Sequence, residues 1–155
     1  MRFYGFGNYY LSSLQQGLQS AHVIGDLSVA SIHNGSVTEK GKIFFDWAKN
    51  HKTMVLLNGG NSLSLEELFQ KLKHFEKLGM HLPFAKFHED EQSLNGALTY
   101  VGIVVEQKYY DAAYELRSCS SFDQLSYVNK KIEEENWKQW EVEFIHELNQ
   151  YRLAN

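Results

Sequence analysis

The residues with the clearest capacity for chemistry lie between Asn8 and His22, where Leu14-Gln15-Gln16-Gly17-Leu18-Gln19-Ser20-Ala21-His22 follows an aromatic-rich start. Residues three and four apart are neighbours on a helix, so Gln15, Gln19 and His22 form a polar stripe and Leu14, Leu18 and Ala21 an apolar stripe beside it. This spacing predicts a helix packed through its leucines, with amides and an imidazole at the edge for hydrogen bonding and proton transfer. Elsewhere, His88-Glu89-Asp90-Glu91 gathers metal-ligand types, yet adjacent residues converge on one ion only in a particular loop shape, and a solvated acidic loop is preferred. No histidine spacing matches H-E-x-x-H, so no metal or cofactor is expected. Asn58-Gly59-Gly60-Asn61 lacks the P-loop pattern and its lysine, and reads as a tight strand-to-helix connection rather than an anion nest. The single cysteine, Cys119, excludes an internal disulfide and has no sequence neighbour that would activate it.

These groups sit in a chain of 155 residues, the usual size of one domain. Its composition, 43% hydrophobic and 22% charged with 14% aromatic, is that of a folded globular protein and excludes disorder. No apolar run reaches the length of a membrane span and no signal-like start is present, so a cytoplasmic protein is expected. A formal net charge of −4 gives no overall attraction to phosphate. Lys40, Lys42, Lys49, Lys52, Lys71, Lys73 and Lys77 are spread over two helices, which reads as a solvated face, with RNA backbone as the alternative occupant.

The positioning elements follow from pattern. Arg2 to Tyr10 reads as a strand whose Gly5 and Gly7 admit close backbone approach. A helix runs from about Ser12 toward Ser31, ahead of the His33-Asn34-Gly35 turn. Ser36 and Glu39 form a capping box opening a second helix that presents Ile43, Phe44 and Trp47 and ends near His51. Thr53 to Leu57 is a compact apolar run, as for a strand buried on both faces. Ser64 and Glu67 form another capping box, with Leu63 and Leu68 as staple, and Leu65, Leu68, Phe69, Leu72 and Phe75 recur at helical spacing up to Gly79. Pro83 precedes Phe84 to Phe87, a strand entered at its edge or first residue, and Ala97 to Val105 forms another strand. The order β, α, α, β, α, β, β defines an α/β sandwich on a small mixed sheet. Past Lys108 the composition shifts. Ser118 to Ser121 reads as a linker, and Ser126 to about Tyr151 as a mainly helical segment with Trp137, Trp140, Phe144, Leu148 and Tyr151 near one face and Glu133 to Glu135 at its N-terminal end. That face packs on its own domain or serves as a dimer contact or substrate wall.

With this element order, the Asn8 to His22 segment resembles the class II peptidyl-tRNA hydrolases, whose first strand leads through a polar loop into a helix bearing G-K-x-x-x-Q-x-x-H. Gln19 and His22 fall on that glutamine and histidine without a gap, and Gln15 stands where the family has lysine. The resemblance continues through Phe44-Phe45-Asp46-Trp47, Met54 to Leu57, Ser64 to Gly79 and Gly96 to Val105. Gly96 and Thr99 match the family's P-G-T-x-T pattern, whereas Asn95 replaces its proline and Ala97 its first threonine. Glu89 or Asp90 stands for its aspartate. The resemblance implies a peptidyl-tRNA hydrolase II-like α/β domain over 1–117, a small mixed β-sheet sandwiched by helices. It leaves 118–155 as a C-terminal helical extension, packed on the domain or at a dimer interface. It further implies hydrolysis of the ester of peptidyl-tRNA or a related substrate, with His22 acting on water and Gln19 and Thr99 bonding the carbonyl or ribose. Glu89 or Asp90 would assist, and Asn8, Gln15 and Gly96 would line the substrate. The implied partners are tRNA or peptidyl-tRNA and a second copy of the chain. An amide at Gln15 supplies no positive charge, which leaves a catalytically inactive hydrolase-fold binding module as the alternative.

Overall fold

A computed structural model describes residues 1–154, apart from the side chains of Ser93, Leu94, Ser121 and Phe122. Strand β1 (Arg2–Gly7) leads through a turn into helix α1 (Ser13–Ala30), whose N-cap Ser12 forms a reciprocal capping box with Gln15. A hairpin of β2 (Ile32–His33) and β3 (Ser36–Val37) follows, its turn made by Asn34 and Gly35 at φ 49 and 75. Positive φ at both central residues gives the twist that two-residue hairpins need, and Asn-Gly is the pair that tolerates it. Helix α2 (Glu39–Asp46) continues as a π turn over Trp47–His51 and stops at left-handed Lys52. Then come β4 (Met54–Asn58), α3 (Ser62–Lys77), β5 (Phe84–His88), α4 (Glu91–Leu94), β6 (Leu98–Val105), α5 (Gln107–Ser118), α6 (Ser121–Glu133) and α7 (Gln139–Leu148).

The molecule is mixed α/β. Its main sheet has the order β4-β1-β6-β5, with β1 parallel to β4 and antiparallel to β6, and β5 antiparallel to β6. On one face α1 and α2 enclose Phe3, Val23, Leu27, Phe44, Trp47, Tyr100 and Val104. On the other, α3, α5 and α7 cover Phe6, Val101, Ile103 and Val105 with Leu65, Leu68, Leu72, Tyr109, Leu116 and Phe144. Full burial of side chains such as Phe3 and Phe6 contributes roughly 1.5–3 kcal/mol each.

Several local assignments change. Ser36 lies in β3, and Thr38 caps α2 by accepting from Gly41 N. Asn61 caps α3 in place of Ser64, because its Oδ1 accepts from both Leu63 N and Ser64 N. Leu63 consequently turns outward and is no staple. The Met54–Asn58 strand is an edge strand with only Leu57 buried. Its free side meets the C-terminal tail, where Asn58 N donates to Arg152 O and Ala154 N to Leu56 O, both at 2.9 Å. Its apolar run reflects two covered faces in part, not a central position. Gly79, at φ 108, ends α3 as its sequence position predicts.

The C-terminal helical segment is interrupted. Asn136 at φ 56 separates α6 from α7, so Glu133 to Glu135 lie at the end of α6 and not at a helix N-terminus. Ahead of them, α5 buries Tyr109, Ala112, Ala113 and Leu116, a helical spacing within a stretch read only as a change of composition. Trp140, Phe144 and Leu148 of α7 join the core, while Trp137 sits in the break and packs its ring edge-on to Tyr109.

Glu141 fixes this corner. Burial disfavours its carboxylate, but bonds from Lys138 N, Tyr109 Oη and Lys108 Nζ outweigh that and hold its pKa below the ordinary value. A depressed carboxyl pKa stabilises the fold above the unfolded-state value and is lost as pH falls through the folded one. Urea unfolding should therefore show Glu141→Gln less stable than wild type by roughly 1–3 kcal/mol at pH 7, with the gap narrowing below pH 4; an undiminished gap in acid would contradict this account.

Candidate functional site

At the C-terminal end of β1 the chain buries a group of amides that an apolar core would not choose. Asn8, Gln16, Gln19, Ser20 and Thr99 are all buried, with Asn8 and Thr99 at 0% exposure. The inward face of α1 is thus Gln16, Gln19, Ser20, Val23 and Leu27, while Leu14 and Leu18 are 75% and 54% exposed. The leucine stripe read from sequence faces outward. The reason is visible on β1, where an added Cβ at Gly7 would lie 1.7 Å from Gln16 Oε1 and one at Gly5 would lie 2.2 Å from the Tyr100 hydroxyl. Both strand positions lack a side chain, and the amide and the phenol occupy that space.

Hydrogen bonds tie these groups together. Asn8 N donates to Thr99 O at 2.9 Å, and Gln16 Nε2 donates to Asn8 O at 3.3 Å. Asn8 Nδ2 donates to Ser62 Oγ at 3.1 Å, which donates to Leu98 O at 2.8 Å. Gln19 Nε2 donates to Glu89 Oε1. The side-chain oxygens of Asn8, Gln16 and Gln19 are buried without a partner among the described residues. A buried polar atom left unpaired costs on the order of 1–3 kcal/mol. All three oxygens are also closed off from solvent, so the group open to chemistry at this end is the Glu89 carboxylate that Gln19 holds.

Thr99 owes its place to an irregularity. The pairing of β5 with β6 shifts between Phe87, opposite Tyr100, and His88, opposite Leu98. Thr99 is the extra residue, a β-bulge of the kind that re-aims a side chain. Its hydroxyl makes a long bond of 3.5 Å to Phe87 O. His22 is exposed and stacks on Phe87, ring centroids 4.4 Å apart and planes 6° from parallel. Tyr10 borders the same site: burial, then the nearby Glu89 carboxylate and Tyr9, raise its pKa.

The structure therefore brings Gln19, Glu89, Thr99 and Asn8 to one end of the sheet, with His22 at the rim over Phe87. Gln15 points elsewhere, its Oε1 accepting from Ser12 N at 2.9 Å to close the capping box. Asp90 is exposed, and its carbonyl meets Gly96 N at 3.5 Å. Gly96, at φ 67, turns the chain toward β6, and its carbonyl lies 2.9 Å from His88 Nδ1. Gln16 belongs to the cluster although the sequence reading gave it no role; its spacing to Val23 and Leu27 was the available signal. Among the described residues, no three His, Cys, Asp or Glu side chains are grouped to hold a metal. In the Asn58–Asn61 connection, Gly59 N donates to Gly7 O and Gly60 N to Asn58 Oδ1, so these amides face no ligand. Lys40, Lys42, Lys71 and Lys73 are each paired with a glutamate. No helix of the described residues is long and apolar enough to cross a membrane. A groove of about 760 Å³ runs between α3 and α7 and is distinct from the amide cluster.

No protein-family model matches the chain, and no curated protein matches it in sequence.

The close fit of Gly7 and Gln16 predicts strong coupling. Gly7→Ala should destabilise by roughly 1–3 kcal/mol, and Gln16→Ala placed in the same chain should recover part of the loss. A double-mutant cycle by chemical denaturation measures this, and strict additivity would contradict the packing described.

Proposed function

We propose that the chain is a divergent class II peptidyl-tRNA hydrolase-like protein acting on the ester of peptidyl-tRNA or a related substrate. The observation that carries this reading is the pairing of Gln19 with Glu89 beside buried amide oxygens and the bulged Thr99. An attacking water needs a base, and the Glu89 carboxylate supplies one. Glu89, held by Gln19, takes the proton of the water as its oxygen bonds to the ester carbonyl carbon. The Gln19 amide, which also holds Glu89, donates to the carbonyl oxygen as charge develops there. The carbon–oxygen bond to the ribose then breaks, and His22 at the rim delivers the proton taken up by the leaving ribose oxygen.

One observation favours a second reading. Gln15, at the position of the family's lysine, is neutral and folded back onto Ser12, so it lends no field to a reacting ester or a phosphate. On this reading the Glu89 carboxylate held by Gln19 binds a hydroxyl- or amine-bearing partner without turning it over.

A single-turnover assay on peptidyl-tRNA separates the two. The hydrolase reading expects cleavage by the wild type, a fall on the order of 10²-fold in Glu89→Gln, a clear loss in Gln19→Ala, and a gain in Gln15→Lys. Cleavage untouched by Gln19→Ala and Glu89→Gln would remove the site assignment. Silence in both wild type and Gln15→Lys would leave the binding module.

A further inference from the structure

The chain has three arginines, Arg2, Arg117 and Arg152, and all three line one groove. This groove, about 670 Å³, lies beside β4 and the C-terminal tail, at the opposite edge of the sheet from β5 and Glu89. Its volume is that of a small-molecule site. Tyr4, Tyr110 and Tyr151 supply aromatic walls, Val55 and Leu57 an aliphatic floor, and no aspartate or glutamate lines it.

The arginines are cationic, and none is in an ion pair among the described residues. Every ion pair found among the described residues uses a lysine or a histidine. Arg2 donates to Gln107 Oε1 at 3.2 Å, and its guanidinium carbon lies 3.3 Å from the centre of the Tyr110 ring. Arg117 donates to Asn149 Oδ1 at 3.1 Å. These acceptors are neutral, so they orient the guanidinium groups without cancelling charge, and most of the five N–H donors on each remain open. Of the nearby carboxylates, Asp111 accepts from Gln107 and Glu147 from Lys71 and Tyr151, and among the described residues neither bonds an arginine. Burial, then Tyr110, raise the Tyr4 phenol to about 12 against the lowering effect of Arg2 and Arg117, so it stays a neutral donor.

A guanidinium fork matches the paired oxygens of a phosphate or carboxylate, and stacking by a planar body on tyrosine rings adds to it. We propose that this groove binds a small anion with an aromatic or apolar body, a phosphate ester or a carboxylate. Arg117 and Arg152 hold its head, and the tyrosines and Leu57 hold its body. Arg2, stacked on Tyr110, sets the electrostatic field behind the head. The proposal is independent of hydrolysis at Glu89, because no residue is shared between the two sites.

Calorimetric titration of the full chain at low salt tests it, using adenosine monophosphate, indole-3-acetate, adenosine and inorganic phosphate as probes. At least one of the first two should bind tenfold or more tighter than adenosine and inorganic phosphate. The nucleotide alone would identify a phosphate ester, and the indole acid alone a carboxylate. The double variant Arg117→Gln/Arg152→Gln should lose at least tenfold in affinity, while Lys42→Gln should lose none. Arg152 makes no side-chain hydrogen bond among the described residues, so Arg152→Gln alone repeats the test without disturbing the Arg117 to Asn149 contact. Failure of both organic anions to bind at millimolar concentration, or binding unchanged in the arginine variants, would overturn the proposal.

Discussion

The close approach of α1 to β1 is the constraint on which the rest of the structure depends. Two strand positions without side chains, Gly5 and Gly7, leave room that the Tyr100 phenol and the Gln16 amide fill. Once those groups lie flat against the sheet, the inward face of α1 is fixed as Gln16, Gln19, Ser20, Val23 and Leu27, and the leucines must face out. Burying amides is costly unless they find partners. Gln16 recovers one bond through Asn8 O and Gln19 one through Glu89, yet three amide oxygens stay unpaired among the described residues. The inward face of α1 therefore grades from polar at Gln16, Gln19 and Ser20 to apolar at Val23 and Leu27. The polar end of that gradient is where the candidate site lies.

The sheet turns this local compromise into two chemically distinct edges. At the β5 edge, the bulge at Thr99 and the loop from Glu89 to Gly96 bring a carboxylate and hydrogen-bond acceptors to α1. At the β4 edge, the returning tail lays Arg152 and Leu153 beside Val55 and Leu57, and α5 brings Arg117. One end is acceptor-rich and the other cationic. Between them, β6 is buried along its whole length and holds both in register.

Much of the architecture was legible because it rests on local rules. The first helix, the stop at Gly79 and the strand that starts just after Pro83 follow from caps, glycine and proline, each acting over a few residues. The order of the four main-sheet strands with α1, α2 and α3 followed as well, whereas the β2-β3 hairpin and α4 were read as a turn and a polar connection. The helical caps were displaced because Thr38 and Asn61 compete successfully with Ser36 and Ser64, a choice decided by backbone geometry that composition does not reveal. The facing of α1 was misread for a deeper reason. Periodicity identifies two stripes but assigns the apolar one inward by default, and only the missing side chains at Gly5 and Gly7 reverse it. The Gln19 to Glu89 contact and the convergence of Arg2, Arg117 and Arg152 join residues far apart in sequence, so no spacing rule could expose them.

The orientation of α1 is accordingly the claim from which the site follows, and side-chain amide NMR tests it directly. In isotope-labelled protein, the Gln16 amide protons should show nuclear Overhauser contacts to the Gly7 α-protons and slowed exchange with solvent, while the methyl groups of Leu14 and Leu18 remain open to a soluble paramagnetic probe. Contacts from the Leu14 and Leu18 methyls to Tyr100 or Val104, with rapidly exchanging Gln16 and Gln19 amides, would contradict the account.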